Sequence, residues 1–144
     1  MLESPQFRQQ RLTQVFLERG GAGEATKPFG EFPEAVRELL VREAGLGGGE
    51  LPILACYFDL DAWTLVTSAR IFHRRAGTTR QWAWGELQSV TTNLRTAAAR
   101  YGIRSKRELR HLWLQTAKGT CELEVEPGPP LFGFLNALQS VAEP

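Results

Sequence analysis

The stretch Leu109–Glu126 reads LRHLWLQTAKGTCELEVE. Leu112 and Leu114 alternate with His111, Trp113 and Gln115. Lys118-Gly119 supplies a turn, and Cys121, Leu123 and Val125 then alternate with Glu122, Glu124 and Glu126. A period of two sends successive side chains to opposite faces, so the stretch predicts a β-hairpin with one apolar and one polar face. Pro127 and Gly128 break it. Pro129-Pro130 then opens a segment in which Leu131, Phe134, Leu135, Leu138 and Val141 recur at helical spacing. The apolar stripe of that helix has to be buried, and a sheet face or a barrel mouth would serve.

The same alternation continues toward the N terminus. Leu51 to Phe58 is a nearly continuous apolar run of strand length, followed by a turn at Asp59-Leu60-Asp61 and a β-rich run from Trp63 to Thr67. Arg70 to Arg75 predicts a strand, Ala76 to Thr79 a turn, Arg80 to Trp84 a strand and Leu87 to Thr92 another. Residues 93–107 read either as a short helix, favoured by Ala97-Ala98-Ala99 and ended by Gly102, or as a loop. Ser4-Pro5 is a helix start with Phe7, Leu12, Val15 and Phe16 as a loose stripe, stopped at Gly20-Gly21. Residues 20–30 lack periodicity and read as a linker. Pro33 starts a second helix with Val36, Leu39 and Leu40 on one face, ending at Gly45 and the Gly47–Gly49 run. The expectation is an α+β, mainly β domain: two N-terminal helices, about seven antiparallel strands in a sandwich or partly open barrel, and a C-terminal amphipathic helix. Residues 1–49 form a helical extension with a Gly-rich linker, and 50–144 the β domain.

A chain of 144 residues can bury roughly 68–70% of its unfolded surface, enough to fold without disulfides or metal. No apolar run reaches the ~18–20 residues of a membrane span, and Met1 to Gly20 lacks the apolar stretch of a signal peptide. Cys56 and Cys121 lie far apart without paired spacing, which predicts free thiols and a cytoplasmic protein. The net charge of +1 conceals a strong pattern. Residues 1–69 carry six basic and ten acidic side chains, 70–118 eleven and two, and 119–144 none and four. The basic centre either meets an anion or faces the acidic flanks of its own chain.

Motifs for chemistry are sparse. The two histidines, His73 and His111, fall on strands, with no Gly-x-Ser-x-Gly turn to carry a nucleophile. Asp59 and Asp61 read as turn formers rather than a catalytic carboxylate pair. The cysteines and histidines lack zinc spacing, and Gly45–Gly49 lacks the Lys-Ser/Thr of a phosphate loop. No metal or cofactor is expected. Arginines interleaved with Trp82, Trp84 and Tyr101 are residue types that would suit single-stranded nucleic acid. The tryptophans on strands also read as core or sheet-covering residues.

The segment Trp63-Thr-Leu-Val-Thr-Ser-Ala-Arg70-Ile-Phe-His73, followed by Trp82-Ala-Trp84-Gly-Glu-Leu87-Gln-Ser-Val90, resembles the early strands of bacterial pleckstrin-homology-like and GRAM-like domains. The resemblance covers about residues 50–142. It implies a partly open barrel whose C-terminal helix plugs one end, and a scaffold that binds proteins, peptides or acidic head groups without chemistry of its own. The basic pattern that reads phosphoinositides in the first hairpin has no counterpart: Asp59 and Asp61 stand there instead. The function expected is a non-enzymatic binding or adaptor module for a protein partner. The alternative is an anionic-ligand binder, for acidic lipid or single-stranded nucleic acid, acting through residues 70–118. A hydrolase is the distant third. The expected contact site is Arg74, Arg75 and Arg80, three guanidiniums crowding one hairpin loop with no acid inside it. Glu122, Glu124 and Glu126 are the residues that would neutralise it from within.

Overall fold

The computed structural model describes residues 3–142. In chain order the elements are α1 (Pro5–Arg19), β1 (Thr26–Pro28), α2 (Glu34–Ala44), β2 (Pro52–Asp59), β3 (Ala62–Thr67), β4 (Arg70–Arg75), β5 (Thr78–Ala83), β6 (Leu87–Thr91), α3 (Leu94–Tyr101), β7 (His111–Thr116), β8 (Gly119–Glu124) and α4 (Pro129–Ala142). The fold is α+β, with two antiparallel sheets ordered β1-β2-β3-β4-β5 and β6-β7-β8; they do not close into a barrel. No described helix is long and apolar enough to cross a membrane.

Local chemistry sets most element boundaries. The Ser4 hydroxyl accepts the Phe7 N–H at 3.1 Å with Pro5 in the first helical turn, so α1 begins where side-chain capping and a fixed φ coincide. Residues 93–107 divide into a helix and a loop: Asn93 caps α3 by accepting the Thr96 N–H, Gly102 ends it with φ +70°, and an irregular stretch leads on to a 3-10 turn at Lys106–Glu108. The β4–β5 turn is tighter than expected. It consists of Ala76 and Gly77 alone, with φ of +51° and +79°, and Thr78 and Thr79 already pair with Arg75 and Arg74. Positive φ at both central residues matches the twist of the flanking strands, which is why a two-residue turn closes the hairpin. At the far end β5 stops at Ala83. Trp84 instead starts a 3-10 turn, and its indole N–H donates to the Thr67 carbonyl at 3.0 Å.

Eight strands are present rather than about seven. The additional one is β1, within the stretch expected to be a linker, where Thr26, Lys27 and Pro28 pair with Cys56, Ala55 and Leu54 of β2. Three residues that include a proline carry no readable period; β2 supplies the template. Both faces of the five-stranded sheet are covered. One face packs Phe32 and Leu40 against Ala55, Trp63, Leu65 and Phe72. The other joins Leu54, Cys56, Val66, Ile71 and Trp82 to the second sheet, to Leu12 and Phe16 of α1 and to α4. Residues 1–49 thus contribute to both apolar clusters.

In α4, Leu131, Phe134 and Leu138 are fully buried and Leu135 nearly so, matching the stripe in the sequence. The helix crosses α1 at very short range. A Cβ added to Gly133 would lie 2.6 Å from the Phe16 carbonyl oxygen, and one added to Gly20 would strike the backbone at Pro129 and Gly133. Alanine at position 133 gains ~1 kcal/mol of helix propensity over glycine. Overpacking typically costs about 1–3 kcal/mol, and here the obstacle is backbone that cannot rotate away. Gly133→Ala is therefore expected to lower the urea midpoint and the melting temperature. A variant as stable as the parent would mean the two helices separate without loss.

Candidate functional site

Strand register decides which basic residues can act together. In the β4–β5 pair, Ile71 faces Trp82, His73 faces Arg80 and Arg75 faces Thr78. Directly opposed residues share a face, so these six form one row that runs outward from the core. Arg74, opposite Thr79, lies on the other face. There its guanidinium donates to the Leu60 carbonyl at 3.1 Å, to the Thr79 hydroxyl at 2.8 Å and to Asp61 at 3.5 Å. The expected crowd of three guanidiniums around an acid-free loop is thus corrected: adjacent residues of one strand point to opposite faces, so Arg74 parts from Arg75 and Arg80, and Asp61 reaches it.

Arg75 and Arg80 remain together on the mouth side of the row. With His73, Ala76, Thr78 and Glu122 of β8 they line an open cleft of about 470 Å³ between the two sheets. Arg75 lies 3.4 Å from Glu124 and is half exposed. The guanidinium of Arg80 sits over the Trp82 ring, 5.8 Å from its centre, and it makes no ion pair among the described residues. A cation held over an indole face keeps its hydrogen-bonding fork free for another ligand.

At the floor of the cleft, His73 is only 5% exposed. Its Nδ1 lies 2.7 Å from the hydroxyl of fully buried Thr64, while Nε2 is buried with no partner. Burial, reinforced by Arg75 and Arg80, pushes its pKa down to about 4, so the ring is neutral at physiological pH. The Thr64–His73 pair has the spacing of a nucleophile and its base, but the threonine is sealed from solvent and no substrate carbonyl could approach it. A second histidine, His111, is equally buried, stacks on Tyr101 at 4.0 Å and lies 3.3 Å from Glu122. Burial lowers its pKa too, against the opposing pull of Glu122 and Glu124.

The glutamates of the last hairpin each have a partner. Glu122 meets Arg100 at 3.3 Å and accepts from the Tyr101 hydroxyl. Glu124 meets Arg75 and, at 3.6 Å, Arg110. Glu126 accepts the backbone N–H groups of Glu24 and Ala25 at 3.0 and 2.9 Å, away from the β4–β5 loop. Arg70 pairs with nearly buried Glu50 at 2.6 Å. Burial opposes ionisation of Glu50, but hydrogen bonds from Arg70, Thr67 and the Gly47 N–H outweigh it and hold the carboxyl below the usual range. Five cations of the basic centre, Arg70, Arg74, Arg75, Arg100 and Arg110, thus face the acidic flanks of their own chain.

Cys56 is buried, its thiol pushed up to about 11 by desolvation, and Cys121 is half buried; both are free. Among the described residues no group of three or more His, Cys, Asp or Glu side chains is arranged to hold a metal ion. The sequence reading missed the role of His73, because a histidine within Arg-Ile-Phe-His-Arg-Arg signals neither its burial nor its threonine partner. A comparison with family models, with characterised proteins and with solved structures finds no match to this chain.

The two histidines predict an acid-sensitive fold. With its folded pKa at about 4 against an ordinary 6.5, His73 binds a proton more readily in the unfolded chain. Its contribution is intact above pH 6.5 and is lost as pH falls toward 4; His111 acts with the same sign. Glu3, held at about 2 chiefly by its hydrogen bond from Arg11, loses its contribution only below its ordinary 4.5. Melting temperatures measured from pH 7.5 downward should therefore already decline between 6.5 and 4.5. His73→Gln, which can still accept from Thr64, should flatten that decline. An unchanged slope in the variant would show that His73 does not titrate this way.

Proposed function

We propose that the chain is a non-enzymatic binding module of pleckstrin-homology-like type that docks an acidic protein segment at the inter-sheet cleft. Four antiparallel strands in sequential order (β2–β5), three more (β6–β8) and a closing helix across them support the likeness. In this reading α1, α2 and β1 are additions to that scaffold, and two free thiols fit a reducing, cytoplasmic setting. The observation that carries the reading is Arg80, an exposed guanidinium without an acid partner among the described residues, poised with Arg75 at the mouth of a cleft. At this cleft a long polyanion is a poorer fit, because Arg75 already has a carboxylate neighbour and Glu122 forms part of the wall. A continuous track of free cations is what a nucleic-acid strand or an acidic bilayer requires.

Arg80→Glu is the direct test. The side chain is exposed and pairs with no acid, so the melting temperature should stay within a few degrees of the parent, as for most surface changes. Capture of the protein partner from the source cell should be lost, and in the parent it should weaken with added salt, since exposed charges are screened beyond ~8–10 Å at physiological ionic strength. Acidic vesicles and a single-stranded oligonucleotide serve as parallel probes. Partner capture that survives Arg80→Glu, or tighter binding of either probe than of the partner, would overturn the assignment.

A further inference from the structure

Resting on that reading, we infer that the cleft takes a single carboxylate of its partner, held between the His73 Nε2–H and the guanidiniums of Arg75 and Arg80. Three buried side-chain polar atoms lack a partner among the described residues, and of these only His73 Nε2 belongs to a residue lining the cleft. Its tautomer follows from counting orphans. If the Thr64 hydroxyl donates to Nδ1, the threonine is satisfied and the one unmet group is an Nε2–H donor. If Nδ1–H donates instead, both the threonine proton and the Nε2 lone pair are left without a partner in a buried setting. Each such orphan is costly, so the first arrangement prevails. The unmet group is therefore a neutral, buried donor on a residue that lines the cleft, with the guanidiniums of Arg75 and Arg80 on the same face.

The geometry suits a compact anion. His73 and Arg80 are opposed across the strands, with Cβ atoms ~4.5–5.5 Å apart in such pairs. Arg75 follows two residues along on the same face, about 7 Å further out at strand rise. The local charge selects the kind of anion. Arg75 and Arg80 stand against Glu122 in the cleft wall, and Arg75 also lies 3.4 Å from Glu124, so at most one net positive charge is free. A monovalent carboxylate matches that surplus, whereas a phosphate dianion would meet Glu122 with charge to spare.

The test observes the unaltered chain first. Acetate, titrated against chloride at constant ionic strength, should shift the His73 imidazole 15N and Nε2–H resonances saturably. Inorganic phosphate should shift them less, and Arg80→Gln should abolish the effect. His73→Phe, checked for folding by its amide spectrum, should weaken both acetate binding and partner capture by about tenfold or more, the scale of a hydrogen bond to a charged group. If His73 does not respond to acetate while Arg80 is still needed for partner capture, the carboxylate subsite is wrong and the docking surface stands. If His73 responds more tightly to phosphate than to acetate, the ligand class is wrong. If neither acetate nor Arg80 matters, the inference and the reading beneath it both fail.

Discussion

Helix α4 holds this molecule together by lying against both the second sheet and α1 with no room to spare. Its apolar residues Leu131, Phe134, Leu135 and Leu138 fill the space that two splayed sheets leave open, in one continuous cluster with Leu12 and Phe16 of α1. Two glycines, Gly20 and Gly133, allow the helix backbones to meet directly. Two sheets that do not close into a barrel would otherwise expose an apolar edge to water, so the position of β8 relative to the β4–β5 hairpin depends on this wedge.

Along the β4–β5 row the environment changes over three residue pairs. Ile71 and Trp82 sit in the apolar cluster, His73 and Arg80 at its border, and Arg75 and Thr78 at the mouth. A neutral imidazole suits the middle position: it tolerates burial, bonds to Thr64, and still offers one donor. A lysine there would carry a charge that the site could not solvate, and a leucine would leave Thr64 without a partner. The row thus supplies hydrogen-bonding capacity at depth and positive charge at the surface.

The charge pattern of the chain has a folding consequence as well. The acidic flanks provide Glu50, Asp61, Glu122 and Glu124 to cations of the central stretch. The more exposed of these pairs, at Asp61, Glu122 and Glu124, contribute only about 0–1 kcal/mol each. Within the cleft lining they leave Arg80 as the cation without an acid partner among the described residues, beside Arg75 and its neighbour Glu124.

Local patterns determined much of the architecture: the β7–β8 hairpin, the buried stripe of α4, the N-cap of α1 and the run of strands from Pro52 to Thr91 all follow from apolar spacing and turn chemistry, whereas residues 93–107 stayed open between helix and loop. Long-range geometry decided the rest. Strand β1 forms only because β2 is there to pair with it, and three residues ending in Pro28 carry no period. The three arginines of the candidate site were visible as neighbours in the chain, and the period of two already separates Arg74 from Arg75; what stayed hidden was which residue Arg80 opposes. A turn of two residues rather than four slides Arg80 from opposite Arg75 to opposite His73, a shift of register along the same face. Ala76 at positive φ, an uncommon conformation for alanine, hid the short turn. The buried donor of His73 was hidden for a related reason, since its partner Thr64 and its neighbour Glu122 come from other strands and meet only when the sheets fold together.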